Sequence, residues 1–333
     1  MMMLCVGCGQ QAPASDNADE AKETASQTEV SVEETVGDEA ADQTADTDEA
    51  SAPDTAGPSD NDDDGGSDMN ARDIFPDFLM GKTDAKVAQD FLSDSDLSEE
   101  GLQPGKSYSV PQLREMIEKD EALKGTEPVI SYAPLLLGDD TLYALNLYYD
   151  TSSEAWTYLY ILSDKSGGLE IMFSICGWSR NRVSVNENGI VFLDGSGGAG
   201  SHITKIFAPD KDHTYKTVSD AEHNYPGWEF YDGESASDTV NSVINEAAEG
   251  NTKAGDVEYT REIINGRKYY YFLGGVERLT QDTVDYIDNI AAAHNFKFDG
   301  KAAVDEAREA YEKELGVEEY CKNTAEPHWK SIN

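Results

Sequence analysis

The stretch "GIVFLDGSGGAGSHITKIFAPD", residues 189–210, decides the fold. Gly195, Gly197 and Gly200 satisfy the GxGxxG pattern of a dinucleotide-binding turn, and "GIVFL" before them reads as a strand. In a dinucleotide fold the glycines lead straight into a helix whose first N–H groups meet the pyrophosphate. Here "HITKIFAPD" follows, β-branched and aromatic residues closed by a proline, and it reads as a second strand. No Lys stands where a phosphate-binding loop needs one. The glycines are therefore expected to join two strands, and nucleotide chemistry is set aside.

Outward from this hairpin the periodicity stays alternating. Candidate strands are "PVISYAPLLL", "TLYALNLYY", "AWTYLYILS", "GLEIMFSICGW", "RVSVN", "GIVFLD", "HITKIFA" and "TYKTV", separated by turns such as "DTSSE", "DKSG", "SRN", "ENG" and "PDKD". Connections this short force antiparallel pairing, because a parallel crossover takes about a dozen residues or more. A helix is expected over "SVPQLREMIEKDEALKG", with Ser109 and Gln112 as a capping box and Gly125 as its end. Another is expected over "SDTVNSVINEAAEG", with Val240, Val243, Ile244 and Ala247 on one face and Gly250 after its end. A hairpin around Asn265 and Gly266 and two further helices, "QDTVDYIDNIAAAHN" and "GKAAVDEAREAYEKELG", follow. The class is α+β: an antiparallel β meander, as an open sheet, sandwich or partial barrel, flanked by N- and C-terminal helices and preceded by a disordered acidic tether. Residues 71–333 are expected to form one domain, with a β-rich core at 128–218 and a helical C-terminal part at 236–320.

The beginning of the chain carries an address. Residues 1–8, within "MMMLCVGCGQQ", read as a truncated bacterial lipoprotein signal, with Gly7 before the lipid acceptor Cys8 and a polar tail starting at once. Residues 9–70 contain no aromatic side chain and 19 Asp or Glu against one Lys, Lys22. Such a segment buries too little apolar surface to offset the entropy of ordering it, so a disordered linker is expected. As a flexible coil it averages on the order of 45 Å end to end. Of the 41 net negative charges, 18 lie in this linker and 23 on the rest. Acidity in both parts excludes DNA and RNA as partners, because their phosphates are neutralised by Lys and Arg. It equally disfavours direct docking on anionic lipid headgroups. Attachment through the lipid alone would place the domain at the cell surface, on the outer face of the cytoplasmic membrane.

The "WSR" of Trp178, Ser179 and Arg180 follows an apolar strand, a Gly/Ser-rich loop ends at His202, and the chain closes with "EPHWK". In these features the stretch from about Phe78 to the C-terminus resembles a group of uncharacterised cell-surface lipoproteins of Clostridia-type anaerobic bacteria. The resemblance implies surface localisation and the fold, and no activity. Members of that group often carry a "DxxxDG" segment before the second strand. This chain has only "LGDD" at Leu137 to Asp140, so no metal role is carried over.

Several motifs invite chemistry and fall short of it. "GWSRN", Gly177 to Asn181, misses the closing glycine of a nucleophile elbow and leads into a strand. "DNDDDG", Asp60 to Gly65, has calcium-loop spacing but Ala71 where a bidentate Glu belongs. His202, His213 and His223 match no zinc spacing, and no cofactor or metal is expected. Trp156, Tyr158 and Tyr160 alternate and share a face, read as half-buried core with an exposed aromatic platform as the alternative. Cys176 and Cys321 are read as two separate thiols.

In a meander, alternate turns fall at the same end. "DTSSE", "SRN" and the glycine loop therefore gather Trp178, Ser179, Arg180, Asn181, Arg182, Ser196, Ser201 and His202 into a candidate ligand-binding end, where Arg forks suit carboxylates and sugar hydroxyls. The competing reading pairs Arg180 and Arg182 with Glu187 and Asp194 as structure only. The function expected is a ligand-binding or adhesion module for a glycan, peptide or cell-wall fragment. A protein-interaction accessory factor of the envelope is the alternative, and a surface hydrolase comes third.

Overall fold

The computed structural model describes residues 74–94, 101–137, 140–164, 167–198, 200–272 and 280–332. The signal with Cys8, the linker at 9–70, the "DNDDDG" loop, and Gly138 and Asp139 of "LGDD" lie outside the described residues. The chain enters through α1 (Ile74–Leu79), β1 (Ala85–Asp94), β2 (Ser107–Tyr108) and α2 (Val110–Ile117). The meander follows as β3 (Val129–Leu137), β4 (Asp140–Asp150), β5 (Ala155–Ser163), β6 (Glu170–Trp178), β7 (Asn181–Val185), β8 (Val191–Gly198), β9 (Ser201–Pro209) and β10 (Tyr215–Asn224). Then come α3 (Ser235–Gly250), β11 (Tyr259–Ile264), β12 (Arg267–Phe272), α4 (Gln281–Ala293), α5 (Lys301–Leu315), α6 (Glu318–Cys321) and β13 (Lys330–Ile332).

Hydrogen-bonded neighbours run β12-β11-β10-β9-β8-β7-β6-β5-β4-β3-β13, so the expected antiparallel meander is present and the later hairpin extends it. β1 departs from that pattern, lying parallel to β6 from Lys86 opposite Glu170 to Asp94 opposite Ile175. The strand is illegible in the sequence because a register shift between Val87 and Leu92 breaks its alternation. β6 has room for it because β7 pairs with β6 only at Trp178 opposite Asn181.

At that corner the sheet turns over on itself. Phe173 of β6 reaches Phe207 of β9 at 5.0 Å and Tyr215 of β10 at 4.8 Å between ring centroids. These rings join Leu142, Ile161 and Val191 in a buried core between the two halves of the sheet. Gly177 sits where a Cβ would come within 2.6 Å of the Val183 side chain and 2.7 Å of the Asn181 carbonyl oxygen, so the turn-over needs a residue without one.

The outer face of the first half is closed by α1 and α2. Phe78, Leu113 and Ile117 pack on Leu145, Leu147, Tyr149, Tyr158 and Tyr160. Trp156, Tyr158 and Tyr160 thus belong to a core and form no platform; Tyr158 and Tyr160 are 4% and 3% exposed. Each such large side chain contributes about 1.5–3 kcal/mol on burial. The Ser109–Gln112 capping box is formed, but α2 stops at Ile117 and not near Gly125. The Asp120 carboxylate accepts the Ala122 N–H at 2.9 Å and diverts the chain into turns. In α3, Gly250 is the last helical residue and Asn251 the cap.

β12 shows how the C-terminal helices share the sheet. In "RKYYYF", Tyr270 packs with α3 and α4 residues Val240, Ile244, Ile287 and Ala291, while Tyr269 and Tyr271 face Val304 of α5. Arg308 of α5 donates to the fully buried Glu262 carboxylate at 2.9 Å, which also accepts from Ser219 at 2.7 Å and Tyr271 at 2.9 Å. Beyond α6 the tail is held by Asn186, whose amide donates to the Tyr320 and Asn323 carbonyls at 2.8 and 2.7 Å. β13 then pairs antiparallel with β3. Neither Cys176 nor Cys321 is in a disulfide, and burial pushes the Cys321 thiol up to about 12.

Candidate functional site

The turn parity read from the sequence is realised. Ser179 Oγ accepts the Ala155 N–H at 2.8 Å, tying the β6–β7 turn to the start of β5. Trp178 stacks on its cross-strand partner Trp156 at 6.4 Å, and the Arg180 guanidinium sits 5.5 Å from the Trp178 ring centre. The Arg180 carbonyl accepts the Ser196 N–H at 2.9 Å, which fastens the glycine-rich end of β8 to the same turn. A Cβ on Gly195 would lie 2.0 Å from that carbonyl oxygen, so this glycine exists for close approach of two backbones. Trp178, Ser179 and the Arg180 backbone are therefore the joint that holds this end together.

The glycine loop is tighter than a cradle of free donors. Gly195, Gly197 and Gly198 belong to β8, and Ser196 Oγ donates to the Gly198 carbonyl at 2.7 Å while accepting its N–H at 3.2 Å. Ser201 opens β9 opposite Gly198 and opposite Asn224 of β10. The Trp228 indole covers Gly200, where a Cβ would meet its Cδ2 at 1.8 Å.

The remaining site residues stand in two rows on the outer face of the second half. Register places Arg182 opposite Asp194 and Asp194 opposite Thr204; the next row runs Ser196, His202, His223 and Thr260. Diagonal neighbours on one face come within reach of long side chains. Accordingly His202 Nε2 meets Asp194 Oδ1 at 2.9 Å. The His202 and His223 rings lie 6.1 Å apart, and His223 Nδ1 meets Thr260 Oγ1 at 2.8 Å. Burial, followed by the neighbouring His202, holds the His223 imidazole below its ordinary value.

Arg182 is 79% exposed and reaches Glu326 of the C-terminal tail at 3.8 Å. The expected partners are engaged elsewhere, Asp194 with His202 and Glu187 with the Asn323 amide at 2.8 Å. An exposed pair this long contributes little to stability.

Two clefts flank the Asp194–His202 pair. One, of about 340 Å³, is bounded by Arg182, Phe192 and Asp194 on the sheet and by Asn323, Thr324 and Glu326 of the tail. The other, of about 230 Å³, is lined by His202, His223, Asn224, Tyr225 and Glu258. Because Asp194 belongs to the first and its partner His202 to the second, the clefts adjoin along one groove across β7 to β10. Among the described residues no group of three or more His, Cys, Asp or Glu is placed to hold a metal ion. His213 lies at the opposite end of β9, buried in a turn with its Nδ1 3.1 Å from Ser163 Oγ.

Sequence reasoning weighed His223 only as a metal ligand and missed Glu326, Glu258 and the aromatic pair Tyr225 and Trp228 as groove residues. The last two had a readable signal. Pro226 and Gly227 between them are type II turn residues, Gly227 has φ 81°, and the Trp228 N–H donates to the Tyr225 carbonyl at 3.2 Å. What the groove offers is exposed, mixed hydrogen-bonding chemistry beside aromatic rings. Comparison with protein-family models, with curated proteins and with solved structures gives no match.

Proposed function

We propose that this protein is a lipid-anchored extracellular ligand-binding module that holds a glycan, peptide or cell-wall fragment along the groove across β7 to β10. One observation carries the reading: the Asp194–His202 pair links two adjoining clefts on a sheet face that α5 and the tail border but leave open. Arg182, His202 and His223 supply donors there, and Asp194 and Glu326 supply acceptors. Of the residues expected from the sequence, Arg182, Ser196 and His202 stand on this face, while Trp178, Ser179 and Arg180 support its rim.

Attachment through Cys8 and the acidic linker supports the same reading, since a tethered domain with an open polar groove is suited to capture ligands near the membrane. Among the described residues no helix is long and apolar enough to cross a membrane. Two experiments test the proposal. The full chain, expressed behind a complete lipoprotein signal and fed a labelled fatty acid, is expected to carry label that Cys8→Ser abolishes. On arrays of glycans, peptides and cell-wall fragments the protein is expected to retain a ligand whose affinity falls with Arg182→Ala. Retention unaffected by both Arg182→Ala and His202→Ala would place the site elsewhere.

A further inference from the structure

We infer that the cleft of His202, His223, Tyr225 and Glu258, with Trp228 beside it, is a subsite for a single neutral sugar ring. The inference rests on the groove reading above and narrows its ligand. The first argument is backbone pairing. β9 is hydrogen-bonded to both β8 and β10, and β10 to both β9 and β11, so no strand edge is free here to receive a peptide main chain. Recognition at this cleft has to run through side chains.

Those side chains suit a polyhydroxylated ring. Tyr225 and Trp228 are 48% and 44% exposed, unusual for such large rings, yet both stand on an anchored turn. The Tyr225 N–H donates to the Gly200 carbonyl at 3.0 Å, the Trp228 N–H closes the turn back to Tyr225, and the Trp228 indole lies on Gly200. Rigid, exposed aromatic faces bind with little loss of side-chain entropy, and they stack on the apolar C–H face of a sugar. The Glu258 carboxylate accepts from hydroxyls, and the neutral His223 imidazole offers hydrogen bonding beside it.

Charge decides against anionic ligands. Among the described residues the cleft's lining holds no Lys or Arg, Lys301 near His223 is paired with Asp305, and the chain carries 41 net negative charges, so an anionic sugar or phosphate is disfavoured. A cation would meet the Glu258 carboxylate and the same aromatic faces, so the basic decapeptides below separate that ligand from a neutral ring.

The test is calorimetric titration of the full-length protein with neutral tetrasaccharides of glucose, mannose, galactose and N-acetylglucosamine, and with neutral and basic decapeptides. Wild type, Tyr225→Ala, Trp228→Phe, Trp228→Ala and His202→Ala are compared, each checked for an unchanged melting temperature. At least one tetrasaccharide is expected to bind, with Tyr225→Ala and Trp228→Ala each weakening it tenfold or more and Trp228→Phe retaining it. Should Trp228→Ala fail to fold, Tyr225→Ala alone decides. Sugar binding that falls with His202→Ala but not with Tyr225→Ala overturns the subsite and leaves the groove standing. Binding of peptides only, sensitive to His202→Ala, overturns the sugar assignment alone. Binding indifferent to every variant, or none to any probe, overturns both.

Discussion

The β4–β5 and β8–β9 hairpins belong to one meander and turn at the same end, yet they meet opposite fates. The first carries Tyr149, Trp156, Tyr158 and Tyr160 and lies beneath α1 and α2. The second carries Asp194, Ser196, His202 and Thr204 on the corresponding outer face, and a groove remains open over it. The difference teaches that aromatic richness in a strand marks a face that will be covered. The exposed rings Tyr225 and Trp228 come instead from a turn that Gly200 anchors, through the Tyr225 N–H and the Trp228 ring, without burying either.

Substitutions in the two hairpins should therefore differ most. Leu147→Ala, beneath α2, is expected to cost about 2–5 kcal/mol in urea unfolding, whereas Thr204→Ala on the open face should change it by less than about 0.5 kcal/mol. Equal costs would remove the distinction. Arg308→Ala probes the border of the open region; leaving the Glu262 carboxylate buried without its guanidinium should cost about 3–5 kcal/mol. Gly195→Ala comes next. Its Cβ meets backbone that has no rotamer to yield, so the Ser196–Arg180 bond must lengthen, at about 1–3 kcal/mol by thermal melt.

The pH response of the open face is smaller and comes from His223. His223 titrates below its ordinary value of 6.5 when folded, so the unfolded chain binds the proton first. Stability from this group is complete above about pH 6.5 and falls as pH drops from there to the folded value, by at most about 1.4 kcal/mol per pH unit. His223→Gln should remove that slope, and a variant with the wild-type slope would show that the imidazole is not the cause. Arg182→Ala should shift stability least, by less than about 0.5 kcal/mol.

The strands of the meander were legible because alternation such as Leu145, Leu147 and Tyr149 in "TLYALNLYY" has one explanation in a sheet with a buried face. β1 was not, since its register shift hides the period, and a parallel partner some eighty residues away leaves no local trace. At the site, turn parity brought "WSRNR" and the glycine loop together correctly. Their division of labour was not readable, because it depends on which carbonyl and hydroxyl meet at the joint. Glu326 entered by a tail contact and Trp228 by packing on Gly200, both products of tertiary structure.

The reading of the open face as a binding face depends most on His202, which joins the two clefts through Asp194. The decisive measurement is the affinity of full-length His202→Ala for the best array ligand, beside its melting temperature. A loss of tenfold or more with melting unchanged is the result predicted. Unchanged affinity in a folded variant would contradict it.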